Sequence, residues 1–258
     1  MKHKPKSKFT KWDVLVALGC LIFLLANLGA VGTSGRRRAK EMVCLSNLHQ
    51  WGLVMKMYTG DSNGLFMADL GYGKNAALGR PELKKYYGND ELLLCPEARK
   101  PYQEGARNPF GAWRGNGLAD PLGNLPCSYG INSWVLSKPC ASGTDTDGGA
   151  LLWRTPNVRG AACVPMILDC AAYENATPWH MDLPPLWDGH WVADTNLNEM
   201  RYVCLNRHNA AVNGVFLDFA ARKIGLKELW ELRWHRNWNP HNDPPPPWPA
   251  WMYNFKTY

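Results

Sequence analysis

The residues best equipped for chemistry fall into a few groups, and His208 with Asp218 is the first. A histidine beside a carboxylate can move a proton or hold a metal ion, and these two stand ten positions apart. If residues 201–208 and 213–220 form a hairpin about a turn at 209–212, His208 lies opposite position 213 and Asp218 opposite position 203. The pair is then separated by about five residues, roughly 16 Å at ~3.3 Å per residue, too far to share a proton or an ion. His208 therefore reads as a turn residue and Asp218 as an aspartate fixing a loop. His180, Asp182, Asp188 and His190 offer metal-type donors in a stretch rich in Trp and Pro, but no two fall at a recognised ligand spacing. They read as a solvated loop. Asp61-Ser62-Asn63-Gly64 opens like a calcium loop without its acidic twelfth position, and reads as a turn ending a helix. Asp145-Thr146-Asp147-Gly148-Gly149 reads as ordinary loop chemistry. No GxSxG, phosphate-cradling glycine loop or HExxH occurs. The sequence thus predicts no catalytic residue, no metal ligand and no cofactor, and a chain that is not an enzyme.

Eight cysteines are many for 258 residues. Cys20 lies in an apolar run; Cys44, Cys95, Cys127, Cys140, Cys163, Cys170 and Cys204 are scattered through the remainder. Without CxxC or paired Cys/His spacing they read as disulfide cysteines, which requires an oxidising compartment. Seven is odd, so at least one thiol stays single.

The elements that must position these residues begin with the charge distribution. The formal net charge is +7, yet nine of the 29 basic residues and one of the 22 acidic residues lie in residues 1–40. The rest of the chain is left at a net charge of −1, without the basic excess of a nucleic-acid binder. The basic residues flank residues 14–31, a run without charge in which Asn27 is the one clearly polar side chain. Eighteen helical residues nearly cross a hydrocarbon core of about 30 Å. Ala30-Val31-Gly32 would serve as a signal-peptidase site, but the run exceeds most signal cores and a helical pattern continues past it, which predicts a retained anchor. With five basic residues before the run and four after, the cysteines decide orientation: N-terminus inside and globular domain outside. The expected division is 1–13 as a basic cytoplasmic segment, 14–31 as a transmembrane helix, 32–59 as its amphipathic continuation and 60–258 as an extracytoplasmic domain.

Beyond Arg38, the residues Met42, Leu45, Leu48, Gly52 and Met55 recur at helical spacing, predicting one face that packs on a domain. Residues 163–170, 202–205 and 214–224 read as strands, and residues 226–236 as a short helix. Residues 244–247 read as polyproline II, followed by an aromatic tail that folds back as a cap.

Several blocks resemble a known family. Lys8-Phe9-Thr10-Lys11-Trp12-Asp13 before an apolar helix resembles the prepilin N-terminal segment. The stretch from Met42 through Asn47-Leu48 to Tyr58, together with Leu94-Cys95-Pro96 and Ser128-Tyr129-Gly130-Ile131-Asn132, resembles the pseudopilin-like proteins of planctomycete-type families. So do Asn206-Arg207-His208-Asn209 with Asp218, Gly225-Leu226-Lys227-Glu228-Leu229-Trp230, and Trp234-His235-Arg236. The resemblance implies an α+β fold in which a long N-terminal membrane-anchored helix packs on an antiparallel-sheet globular domain. It implies a structural or assembly subunit of a type II secretion or type IV pilus-like system in a bacterial inner membrane. Its expected partners are the lipid bilayer, pilin-like subunits and secretion machinery. Lys8, Phe9 and Asp13 correspond to the processing and assembly motif. Lys8 stands where the family carries Gly, which predicts poor cleavage before Phe9, and Asp13 stands where it carries Glu. Cys44 and Cys95 both belong to family-like blocks and are the first disulfide candidates; Cys170 with Cys204, on strands expected to be neighbours, is the second. A different function remains in view: thirteen Trp residues could, where exposed with Tyr, stack on a glycan or a protein partner.

Overall fold

The computed structural model describes residues 10–68, 78–107, 109–114, 125–138, 149–171, 175–179, 181–189, 198–240 and 246–258, apart from the side chains of residues 28–31, 33 and 175. The chain divides into two compact units, Met1–Ala39 and Lys40–Tyr258. Helix α1, Lys11–Asp61, contributes residues to both.

In the first unit, α1 starts on a local cap. Asp13 Oδ2 accepts hydrogen bonds from the Thr10 backbone N–H and hydroxyl, each at 2.8 Å, and these hold its carboxyl below the usual range. Val14, Leu15, Val16, Leu18, Leu21, Ile22, Phe23, Leu24 and Leu25 are all exposed. The membrane-anchored helix expected from the sequence is corrected here: among the described residues, no helix is long and apolar enough to cross a membrane.

In the second unit the rest of α1 is amphipathic. Cys44, Leu48, Trp51, Met55 and Thr59 are buried, three or four positions apart, forming one stripe. Leu48 and Met55 are buried as expected, whereas Met42 is exposed and Leu45 is half-buried, so the stripe is rotated from the expected one. The helix ends at Asp61 as the glycines predict: Gly64 N–H bonds to Thr59 O at 2.8 Å, with Asn63 and Gly64 at φ 55° and 77°.

Two small sheets follow. Strands β1 (Trp113–Arg114) and β2 (Pro126–Cys127) form an antiparallel pair. The main sheet has β3 (Tyr129–Asn132), β4 (Pro165–Asp169), β5 (Asn175–Ala176), β6 (Ala211–Phe216) and β7 (Ala221–Gly225) in the order β5-β3-β4-β6-β7. All neighbours are antiparallel except β5, which runs parallel to β3 at one edge. Every residue of β3, β4 and β6 is buried, the polar Asn132, Asp169 and Asn213 included, so these strands show no alternation between a buried and a solvated face. Gly52 of α1 lies against the β6–β7 hairpin: a Cβ there would meet Phe219 O at 2.8 Å and Val215 Cγ2 at 3.1 Å.

Three expected elements differ. Residues 214–224 are not one strand but the β6–β7 hairpin, because Asp218 Oδ1 accepts from Ala220 N–H at 3.0 Å and Phe219 takes φ 66°. Residues 202–205 form no strand; a 3₁₀ turn, Met200–Tyr202, leads into irregular chain. Residues 226–236 carry a 3₁₀ helix only at Lys227–Glu231. Residues 244 and 245 of the expected polyproline segment lie outside the described residues. The aromatic tail does fold back: Trp251 Nε1 donates to Pro185 O at 2.8 Å, and Trp248 packs edge-on to Trp230 at 5.2 Å.

A buried cysteine, aspartate and histidine cluster as candidate site

Four chain segments meet beneath α1. Cys44 projects from the buried stripe of the helix. Cys95 follows a 3₁₀ turn, Asp90–Leu93, that is tied to the helix by Trp51 Nε1 donating to Leu92 O at 2.9 Å and by Asn47 Nδ2 donating to Leu94 O at 3.0 Å. Asp169 is the last residue of β4, and His208 sits just before β6. All four are buried, and their donor atoms lie within 4.8 Å of one another. His208 Nε2 stands 3.1 Å from Asp169 Oδ2 and 3.4 Å from Cys95 Sγ. Cys44 Sγ is 3.8 Å from both oxygens of Asp169.

A shell of polar groups fixes these side chains. Asn213 N–H, on β6, donates to Asp169 Oδ2 at 2.8 Å. Cys95 N–H donates to Ser128 Oγ at 2.5 Å, and Tyr129 O–H reaches Cys44 Sγ at 3.4 Å. Arg207 is fully buried and uses every donor it has. Its Nε donates to Pro109 O, Nη1 to Ser128 O and Asp169 Oδ1, and Nη2 to Gly111 O and Cys170 O, all at 2.9–3.2 Å. The turn carrying Arg207 and His208 is made by two consecutive left-handed residues, Asn209 at φ 54° and Ala210 at φ 59°. Asn206 Oδ1 holds that turn by accepting from Ala210 N–H at 2.6 Å, and His208 N–H closes it on Ala211 O at 2.9 Å.

The charges set the protonation of the group. Burial disfavours the Asp169 carboxylate, but His208 and Arg207 outweigh it and hold the carboxyl well below its ordinary range. Burial disfavours the His208 imidazolium, yet Asp169 lifts it to about 10. Burial pushes the Cys95 thiol and the Tyr129 phenol well up. A protonated, inaccessible thiol is a poor nucleophile. What the arrangement offers chemically is a buried set of two sulfurs, one imidazole and one carboxylate whose donor atoms converge on one another.

His208 and Asp218 do not form a pair: Asp218 is exposed in the β6–β7 turn, and the hairpin expected at 201–220 is replaced by β6 lying between β4 and β7. His208 is correspondingly more than a turn residue. Cys44 and Cys95 are brought together as expected, but no two sulfurs among the described residues lie at disulfide distance. Cys170 and Cys204 are both buried on adjoining segments, linked through Ala171 N–H to Tyr202 O at 2.9 Å rather than by paired strands. Asp182 and Asp188 are loop fasteners: Asp182 Oδ2 accepts from the N–H groups of Trp179, Glu199 and Met200, and Asp188 Oδ1 accepts from Asn206 N–H at 3.0 Å. His180, His190, Lys8, Phe9 and residues 145–148 lie outside the described residues. Trp12 and Trp187 are exposed, whereas Trp51, Trp113, Trp134, Trp153, Trp230, Trp234 and Trp238 are buried.

The sequence gives Asp169, Arg207 and Tyr129 no site role, although Arg207 and Tyr129 stand in two of the family-like blocks. The available signal was an aspartate closing an apolar strand, Met166-Ile167-Leu168-Asp169, which must find cationic partners if the strand is buried. No protein-family model matches the sequence, no curated protein is significantly similar to it, and no solved structure significantly matches its fold.

Proposed function

We propose that the chain is a structural subunit that assembles with further copies of itself through the first part of α1, in the manner of pilin-like proteins. One observation carries this reading. Nine apolar side chains between Val14 and Leu25 are exposed at 53–69 % and cover every side of the helix. Such a helix has no face suited to water and must be enclosed by other apolar surface. Burying each Val, Leu, Ile or Phe is worth about 1.5–3 kcal/mol, enough in sum to drive association. Like helices are the occupant favoured by the resemblance of residues 8–13 to a prepilin segment. Asp13 adds to this: its carboxylate, held ionised at the head of the helix, is placed to receive a neighbour's cation. The reading assigns the chain no catalytic step.

Sedimentation velocity of the full chain in mild detergent tests the proposal. Multi-copy species are expected for the native sequence and single chains for a Leu21→Gln, Leu24→Gln, Leu25→Gln variant, with the melting temperature of the second unit unchanged. A native chain that stays single in detergent, or inserts as single copies into phosphatidylethanolamine–phosphatidylglycerol vesicles, would refute it.

A further inference from the structure

We infer that Cys44, Cys95, Asp169 and His208 form a structural site for a four-coordinate divalent transition metal, with Zn²⁺ as the best-suited ion. This rests on unit Lys40–Tyr258 alone and is independent of how the chain assembles. The donor set is two thiolates, one imidazole and one carboxylate, the mixture of S, N and O that zinc accepts in closed tetrahedral sites. The spacing agrees. Around an ion bound at about 2.0–2.3 Å with near-tetrahedral angles, neighbouring donors stand roughly 3.1–3.8 Å apart. The structure places Cys95 Sγ and His208 Nε2 at 3.4 Å, His208 Nε2 and Asp169 Oδ2 at 3.1 Å, and Cys44 Sγ and Asp169 at 3.8 Å.

Charge balance points the same way. With both thiols ionised, Asp169 anionic, His208 neutral and Arg207 cationic, a divalent ion brings the sum to zero. Groups buried this completely require such compensation. On binding, each thiol and the imidazolium release a proton to solvent and no electron is transferred. The surrounding bonds then serve the ligands: Arg207 and Asn213 N–H orient the Asp169 carboxylate, and Tyr129 O–H supports the Cys44 sulfur. A Cys44–Cys95 disulfide would use two of these donors and give the convergence of His208 and Asp169 on the sulfurs no purpose.

The experiment uses the full chain, reduced and supplied with Zn²⁺, then dialysed against a chelator. Elemental analysis should find about one zinc per chain, and a mercurial reagent should release it as two thiols react. Cys44→Ser and Cys95→Ser should each lower bound zinc at least tenfold. Should either variant fail to fold, Co²⁺ replaces Zn²⁺ in the native chain. Strong visible bands of a four-coordinate ion with thiolate-to-cobalt charge transfer are then expected. Three results would overturn the site: folded chain below a tenth of a zinc per chain, cobalt spectra without thiolate bands, or peptide mapping that recovers Cys44 joined to Cys95.

Discussion

Two buried carboxylates show how differently the fold treats the same functional group. Asp169 has two cationic neighbours and stays ionised. Asp182 has neither; it accepts three backbone N–H groups, all on Oδ2, and burial lifts its carboxyl to about 6 despite them, with the Glu199 carboxylate adding to the rise. A carboxyl whose folded value lies above its unfolded one stabilises the fold most below the unfolded value. That contribution is lost as pH rises toward the folded value. The Asp182 contribution is therefore complete below about pH 4 and disappears between about pH 4 and 6. Asp182→Asn keeps an acceptor oxygen without a charge to desolvate. Relative to the native chain, the variant should gain about 3 kcal/mol between pH 4 and pH 7.5, read from denaturant unfolding at both values. A difference that stays constant with pH would show that Asp182 does not titrate in this range. Asp182 was visible in the sequence, but as a solvated loop residue: nothing in its neighbourhood announces that three amides converge on one of its oxygens.

At the scale of elements, the helix and its stripe were readable because a 3.6-residue period survives any register error smaller than a quarter turn. The strand boundaries were not. Residues 214–224 read as one strand because Val215, Leu217 and Phe219 alternate with Phe216 and Asp218, and the break at Leu217–Ala220 depends on Asp218 bonding locally and on Phe219 accepting a left-handed backbone. That misplaced turn hid the site, since a hairpin at 201–220 sends His208 away from β4, whereas the observed one leaves β6 free to pair with it. The contact between α1 and this hairpin makes a sharp test. The atom that a Cβ on Gly52 would meet is a backbone oxygen, which cannot swing aside as a side-chain tip would. Gly52→Ala should destabilise the second unit by about 1–3 kcal/mol in equilibrium unfolding, even though alanine is the better helix former by about 1 kcal/mol. A neutral or stabilising result would mean that helix and hairpin are less closely packed than described.

Over the whole molecule, the chain divides into two compact units at Ala39, and a compact unit is expected to fold without its neighbour. A chain beginning at Arg36, which keeps one helical turn ahead of Lys40, should melt within about 2 °C of the full chain and unfold with the same cooperativity. A loss of many degrees would show that residues 11–35 support the core. The long N-terminal helix and the α+β character were legible from residue patterns, while the antiparallel order β3-β4-β6-β7 and the parallel edge strand β5 were not. The β5 pairing illustrates why: two residues carry too little pattern to declare a partner.

The buried cluster also governs when the fold can close. Cys44 and Asp169 are 125 positions apart, and Cys95 and His208 are 113 apart. Each of these contacts closes a long loop before it returns any energy, so the centre of the unit is among the slowest parts to form. During synthesis, Cys44 and Cys95 leave the ribosome well before the strand and turn that will enclose them. At ~5–20 residues per second, the interval between Cys95 and His208 lasts roughly 6–23 s. Through that interval both thiols are open to oxidants and to wrong partners among the other cysteines. A chain matured under reducing conditions and one matured under oxidising conditions can thus arrive at different covalent states from one sequence.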